Sequence, residues 1–213
     1  MNRHVAAIDG PAGSGKSTVA RWVARSLGWL FLDTGAMYRA LTWHLLRIGV
    51  DLEAPGPLDR LLNGVALALD REGKVIVDGR RLGPAELQDP DVEARVARVA
   101  GWGPVRAFLR EKQRSTAGLG PLVAEGRDMG SVVFPDAAWK FFLEASLECR
   151  ARRRYQELSG RGVKVTLAGI QEVMAARDRA DLERADGPLV CAPDALRIQT
   201  DALRIGVRSS GSV

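Results

Sequence analysis

Residues 10–17 read Gly-Pro-Ala-Gly-Ser-Gly-Lys-Ser and match G-x-x-x-x-G-K-[ST] at every fixed position. Such a segment constrains the fold as well as the chemistry, because it works only between a strand and a helix. Val5 to Ile8 is an apolar run of strand length, and Val19, Ala20, Val23, Ala24 and Leu27 recur at helical spacing before Gly28 can close the helix. That order of strand, loop and helix argues against an ordinary Gly-rich turn. Glycines let backbone N–H groups turn inward on a polyphosphate, and the helix N-terminus adds its positive dipole end. Gly10, Pro11, Ala12, Gly13, Ser14, Gly15, Lys16, Ser17 and Thr18 are therefore the predicted seat of a nucleoside triphosphate. Lys16 would reach the β- and γ-phosphates, and the Ser17 hydroxyl would ligate Mg²⁺.

Along the rest of the chain, apolar runs alternate with helical periods. A strand over 29–33 ends in Asp33-Thr34-Gly35, and a helix carrying Met37, Leu41, Leu45, Leu46 and Ile48 stops at Gly49. Further strands are predicted at 122–125, 139–144 and 195–200, which with 4–9 makes five. Alternation of this kind gives a parallel, doubly wound sheet with its ligand at the carboxyl ends of the strands. Thr34, Tyr38 and Arg39, and the cluster Glu125-Gly126-Arg127-Asp128, stand at two such ends. Spacing alone also allows a solvated Arg39 and a local Arg–Asp pair in the second cluster.

After Ala54-Pro55-Gly56-Pro57 the texture changes. Val65, Leu67 and Leu69 alternate, a turn Asp70-Arg71-Glu72-Gly73 follows, and Val75 and Val77 alternate again. The pattern predicts an antiparallel hairpin, inserted at about 60–85 within a region 34–115. Helical periods return with Val92, Val96 and Val99 and then with Val105, Phe108 and Leu109. A helix over 147–158 carries Arg150, Arg152, Arg153 and Arg154 and runs into a basic, Gly-flanked segment at 159–164. Such a segment suits a mobile flap over phosphates, within a lid region 155–185, a basic linker that binds nothing, or an RNA-facing patch. A last helix over 167–185 has Ile170, Val173 and Met174 as its apolar side, and it ends in Arg177, Asp181 and Arg184 on one face. Intrahelical ion pairs are the simplest account of those three.

Composition bears on the partner. Lys and Arg number 31 against 26 Asp and Glu, giving +5, and 26 of the 31 are arginines. Guanidinium groups hold phosphate by paired contacts, so this balance fits a multi-phosphate site as well as nucleic acid. An RNA-binding protein needs stacking platforms, which two tyrosines and five phenylalanines hardly supply. Cys149 and Cys191 are too few for a disulfide scaffold, no charged-then-apolar leader opens the chain, and no long apolar run occurs. A cytoplasmic, monomeric enzyme without membrane or nucleic-acid partners is the expectation.

Several segments together resemble the bacterial cytidylate kinases, a branch of the P-loop nucleoside monophosphate kinases. They are IDGPAGSGKST at 8–18, LDTGAMYRAL at 32–41, the insert with DPDVEARVARVA at 89–100, PVRAFLREKQR at 104–114, EGRDMGSVVFPDA at 125–137 and RDRADLERADGPL at 177–189. The first names only a superfamily; the others narrow it. The resemblance implies a three-layer P-loop α/β fold with a five-stranded parallel sheet, a small antiparallel β insert and a helical lid. It implies transfer of the ATP γ-phosphoryl to CMP or dCMP with Mg²⁺. By the same resemblance Lys16, Arg127 and Arg184 are catalytic, and Arg39, Arg127 and Arg184 hold the acceptor phosphate. Arg106 and Asp128 read the cytosine edge, Arg177 and Asp181 hold the sugar, Thr34 and Tyr38 lie near the acceptor, and Arg150 and Arg154 lie on the ATP side.

Three departures from the family pattern stand out. Ala97 replaces a small hydroxyl residue that often contacts the base, and Glu125 stands where Asp is usual near Mg²⁺. Where a helix ordinarily follows the last strand, residues 201–213 read DALRIGVRSSGSV, a short end that is polar at its tip. A P-loop kinase for UMP, AMP or shikimate is the alternative, though it would need neither the insert nor GRDMG. An RNA-binding regulatory NTPase is a more distant one.

Overall fold

The computed structural model describes residues 4–54, 56–70 and 72–203. β1 (Val5–Asp9) is buried along its whole length and leads through the glycine-rich loop into α1 (Lys16–Leu27). α1 closes at Gly28, whose φ of 66° turns its N–H back onto the Ala24 and Arg25 carbonyls. β2 (Leu30–Asp33) passes directly into α2 (Thr34–Arg47), because the Asp33 carboxylate caps that helix and accepts from the Ala36 N–H at 2.7 Å. Trp29, expected to open this strand, stands before it and packs on Trp139 with ring centroids 5.5 Å apart.

The excursion begins with α3 (Leu58–Asn63) and forms a separate antiparallel sheet of β3 (Leu67–Leu69), β4 (Val75–Val77) and β5 (Arg80–Arg81). Alternation predicts the first two strands only. The third is two exposed arginines, held by backbone pairing with Ile76 and Val77 and by ion pairs from Arg80 to Glu86 and from Arg81 to Asp70 and Glu72. At the β3–β4 turn, Gly73 packs on the Phe31 carbonyl of β2 so closely that no side chain could be accommodated. α4 (Pro84–Leu87), α5 (Pro90–Val99) and α6 (Gly103–Thr116) follow, each with proline in its first turn, where a missing N–H costs nothing.

β6 (Leu122–Gly126) ends in a single π-helical turn at Met129–Val133, and β7 (Trp139–Glu144) follows. Two long helices, α7 (Leu147–Gly160) and α8 (Leu167–Glu183), then precede β8 (Leu196–Gln199). The large sheet has the order β2-β6-β1-β7-β8 and is parallel throughout. All five strands lie where the sequence predicts them, and β1 is central, so the glycine-rich loop leaves from the middle of the carboxyl edge.

Alternation along the strands makes three layers. Val5, Ala7, Leu32, Leu122 and Ala124 face α2, α6 and the insert, whereas Ala6, Ile8, Val123 and Leu143 face α1. A third, smaller cluster of Ala151, Ile170 and Met174 joins α7 to α8 beside Ala12. Burial of each larger side chain there stabilises by about 1.5–3 kcal/mol, far less in sum than the main core, so this unit opens more readily. Val173 departs from expectation: it is 69% exposed. At 3.6 residues per turn, Ile170 and Met174 share one side and Val173 turns toward the cleft.

Among the described residues no helix is long and apolar enough to cross a membrane. The expectation for the chain end falls mostly on residues 204–213, outside those described, as do Pro55 of the hinge and Arg71 of the hairpin turn.

Candidate active site

The loop between β1 and α1 takes backbone angles that only glycine adopts readily. Gly10, Gly13 and Gly15 have φ of 145°, 76° and 94°. A methyl group at Gly10 would also run into the Leu143 carbonyl of β7. Lys16 is buried, and its ammonium donates to the Pro11 carbonyl at 2.7 Å, so it curls over the loop. Ser17 and Thr18 open onto the cleft.

The loop is braced from behind by α7. Arg150 Nε donates to the Ala145 carbonyl at 2.9 Å, Nη1 to the Ala12 carbonyl at 3.1 Å, and Nη2 to Asp178 at 2.7 Å. Arg150 therefore stands behind the loop and not on the wall of the cleft, because all three faces of its guanidinium are taken by protein. One helical turn on, Arg153 lines the cleft and donates to the Gly13 carbonyl at 3.3 Å. Arg153 is part of the basic run on this helix, from which the resemblance singles out only Arg150 and Arg154, although the spacing of three from Arg150 puts Arg153 on the loop side of α7 as well. Thr200, just past β8, completes the brace by donating to the Ser14 carbonyl at 3.0 Å. Arg154 lines the cleft but is paired with Glu157 at 2.9 Å and faces Glu93 of α5 at 3.6 Å.

Opposite the loop, the carboxyl ends of β2 and β6 and the end of α8 bring together residues far apart in sequence. The cleft they share is part of an open cavity of about 2370 Å³ that also runs past the end of α1 and the turn of the insert. Thr34 is buried and donates to the Glu125 carbonyl at 2.7 Å, joining β2 to β6. Arg39 stands over Gly35, 3.5 Å from the Asp33 carboxylate. Arg127 Nε donates to Asp181 Oδ2 at 2.8 Å, and Arg184 reaches Asp181 Oδ1 at 3.4 Å, so one carboxylate spaces two arginines. Arg177 lies on the same wall.

Beside this group, Arg106 and Asp128 form a buried ion pair at 2.5 Å, with side chains only 2% and 6% exposed. Arg106 also donates to the Tyr38 hydroxyl at 3.2 Å, and burial pushes that phenol up to about 12. Ala97 lines the cleft as well, and it carries no polar atom to offer a base.

Charge in the cleft is unbalanced. Burial, then the neighbouring Arg127, lowers Lys16 to about 7. Burial, then Arg127, also pulls Arg177 down, and burial, then Arg106, pulls Arg184 down. Burial disfavours ionised Asp181, yet Arg127, Arg177 and Arg184 outweigh it and hold that carboxyl below its ordinary range. Cations depressed by burial and by neighbouring arginines gain from an incoming polyanion, which favours their charged forms.

Two acids anchor the site from within. Asp9, at the end of β1, accepts from the Met129 N–H at 2.8 Å and the Gly130 N–H at 2.7 Å, fixing the turn that follows Arg127 and Asp128. Burial raises it to about 6 even against those two donors. The only sequence signal for Asp9 is an acid closing an apolar strand just before the first glycine. Glu125 is buried beside Ser17, its Oε1 has no partner, and burial, then Asp33, pushes it up.

A cytidylate kinase family model matches residues 6–207. The chain is 47% identical over 203 residues to a cytidylate kinase of Pelotomaculum thermopropionicum, covering 93% of this chain and 89% of that protein. It is 43% identical over 201 residues to a cytidylate kinase of Desulfitobacterium hafniense, covering 93% and 86%. A bifunctional pantoate ligase/cytidylate kinase of Synechococcus elongatus is 45% identical over 211 residues; the match takes in 95% of this chain but spans only 40% of that longer protein. With the family pattern matched from β1 to beyond β8, and with single-function relatives covered over most of their length, the chain belongs to the cytidylate kinase family.

Proposed function

We propose that the protein transfers the γ-phosphoryl group of ATP to CMP or dCMP, giving ADP and CDP or dCDP. The observation that carries this reading is the group of cations, Lys16, Arg177 and Arg184, each depressed by burial and then by a neighbouring arginine, gathered on one cleft. Relatives named as cytidylate kinases support the same reading. Phosphoryl transfer asks for in-line positioning and charge neutralisation more than for acid–base chemistry, which suits a wall of arginines.

The donor triphosphate sits on the backbone of residues 10–18, with Lys16 swinging from the Pro11 carbonyl to the β- and γ-oxygens and Arg154 on the ATP side. Among the described residues no cluster of three or more acidic, His or Cys side chains forms a metal cage. Mg²⁺ needs none, because it keeps water and phosphate ligands; the Ser17 hydroxyl and the unpartnered Oε1 of Glu125 would hold it. When bound, the ion neutralises charge on the phosphates.

Arg39, Arg127 and Arg184 hold the acceptor phosphate, with Arg127 and Arg184 aimed by Asp181. Arg177 and Asp181 hold the sugar, and Thr34 and Tyr38 line the acceptor side. Asp128 uses Oδ2 for Arg106, and Oδ1 has no hydrogen-bond partner among the described residues. That oxygen accepts from the exocyclic amine of cytosine; uracil would set a carbonyl against it, and a buried unpaired acceptor costs about 1–3 kcal/mol. Residues 34–115 act as the acceptor-binding region and 155–185 as the lid of one kinase domain, in a monomeric, cytoplasmic enzyme.

A coupled assay of ADP release with CMP, dCMP, UMP and AMP tests the reading. CMP and dCMP should dominate. Preference for UMP or AMP, or no turnover with any monophosphate, overturns it.

A further inference from the structure

The buried Arg106–Asp128 pair is roofed by a short turn after α8 to which the reaction as described gives no part. We propose that Asp186 and Gly187 form a clamp that sets base selection, with Asp186 as a positioning residue for Arg106. The inference rests on the reading of this cleft as a nucleoside monophosphate site and names what enforces its choice of base.

Asp186 faces two arginines of α6. Its Oδ1 accepts from Arg110, and its Oδ2 lies 3.4 Å from Arg106 Nε. Arg106 Nε is fully buried and has no hydrogen bond, so the Asp186 carboxylate is what balances that edge of the guanidinium. Arginine–carboxylate pairs are frequently bidentate, with both oxygens engaged. Arg106 instead touches Asp128 through Nη2 and Oδ2 alone, and the second oxygen stays available for a base. By drawing on the opposite edge of Arg106, Asp186 keeps Asp128 half-engaged.

Gly187 closes the roof. Its φ is 61°, and a methyl group there would overlap both the Arg106 guanidinium and the Asp128 carboxylate, so bare backbone rests on the pair. Arg184 pins the turn, donating from Nε to the Asp186 carbonyl at 3.0 Å and to the Gly187 carbonyl at 3.1 Å. A roof that excludes water removes the solvent that would otherwise satisfy a mismatched acceptor, and this makes the wrong base costly.

The test compares kcat/KM for CMP and UMP, together with KM for ATP, in wild type, Asp186→Ala, Asp186→Asn and Gly187→Ala. Asp186→Ala and Gly187→Ala should each lower the CMP-over-UMP ratio about tenfold while KM for ATP stays within about twofold. Asp186→Asn, which keeps an acceptor for Arg110 but not the charge, should fall between wild type and alanine. A ratio unchanged in the folded variants, or losses equal for both bases, overturns the clamp. If Asp186→Ala does not fold, Asp186→Asn and Gly187→Ala decide the question by the same ratio. A wild type that prefers another base refutes the CMP reading, yet its own preferred-over-disfavoured ratio still tests the clamp. A wild type that phosphorylates no monophosphate refutes both.

Discussion

ATP binding to this protein should take up a proton, and the amount follows from Lys16. In the nucleotide-free cleft burial and Arg127 hold that ammonium at about 7, against an ordinary 10.5. At pH 8 only about one site in ten then carries the proton. A triphosphate laid against Nζ favours the charged form and restores it. Binding should therefore take up about 0.9 proton per site at pH 8, about 0.5 at pH 7 and about 0.1 at pH 6. The affinity for ATP should fall about fivefold between pH 7 and 8 and by nearly tenfold per unit above that, because each binding event must then capture a proton. The nucleotide-free fold gains stability over the same interval, since the unfolded chain there binds a proton that the folded chain does not. Isothermal titration of ATP in buffers of different ionisation enthalpy reads the uptake directly, and Lys16→Met supplies a reference that should show far less at pH 8. Zero uptake at pH 8, or release, would refute the argument that an uncompensated cation waits in the cleft.

Asp128→Ala should lower kcat/KM for CMP by about 100-fold and erase discrimination against UMP, because it removes the acceptor and leaves Arg106 with a weaker partner; unchanged discrimination in steady-state assays would sink the base-reading role. Arg184→Ala should lower turnover about 100-fold with KM for ATP within about twofold, and an intact rate would remove it from the reacting centre. Arg150→Ala should cost about 3–5 kcal/mol in urea unfolding, since it strips Asp178 and the Ala12 carbonyl of a buried partner; a loss below about 1 kcal/mol would show that the brace behind the loop is dispensable.

The strands and the glycine-rich loop are legible in the sequence because local chemistry marks them: a run such as VAAID reads as a buried strand, and a strand, three glycines, Lys16 and a helix in that order argue against an ordinary turn. The strand ends place Arg39 and Arg127 beside a ligand in the sequence, but the acceptor roles proposed for them and for Arg184 come from family resemblance, since each also reads as an ordinary surface arginine until the sheet order brings β2 and β6 side by side. What the sequence hides is long-range satisfaction of polar groups. Nothing near Arg150 hints that its partners are Ala12, Ala145 and Asp178, and nothing near Asp9 points to the amides of Met129 and Gly130. β5 escapes for the opposite reason, as two backbone pairings with no apolar pattern leave no trace in composition.

The contact between Gly73 and the Phe31 carbonyl reaches beyond substrate choice. β2 is an outer strand of the large sheet, and an outer strand offers unpaired carbonyls and amides on which a second chain can add. The turn of the insert lies against one of those groups, the Phe31 carbonyl, where it would hinder a second chain from pairing. A shortened variant that kept every catalytic group but lost residues 65–83 would thus be expected to fail in concentrated solution before it failed in chemistry.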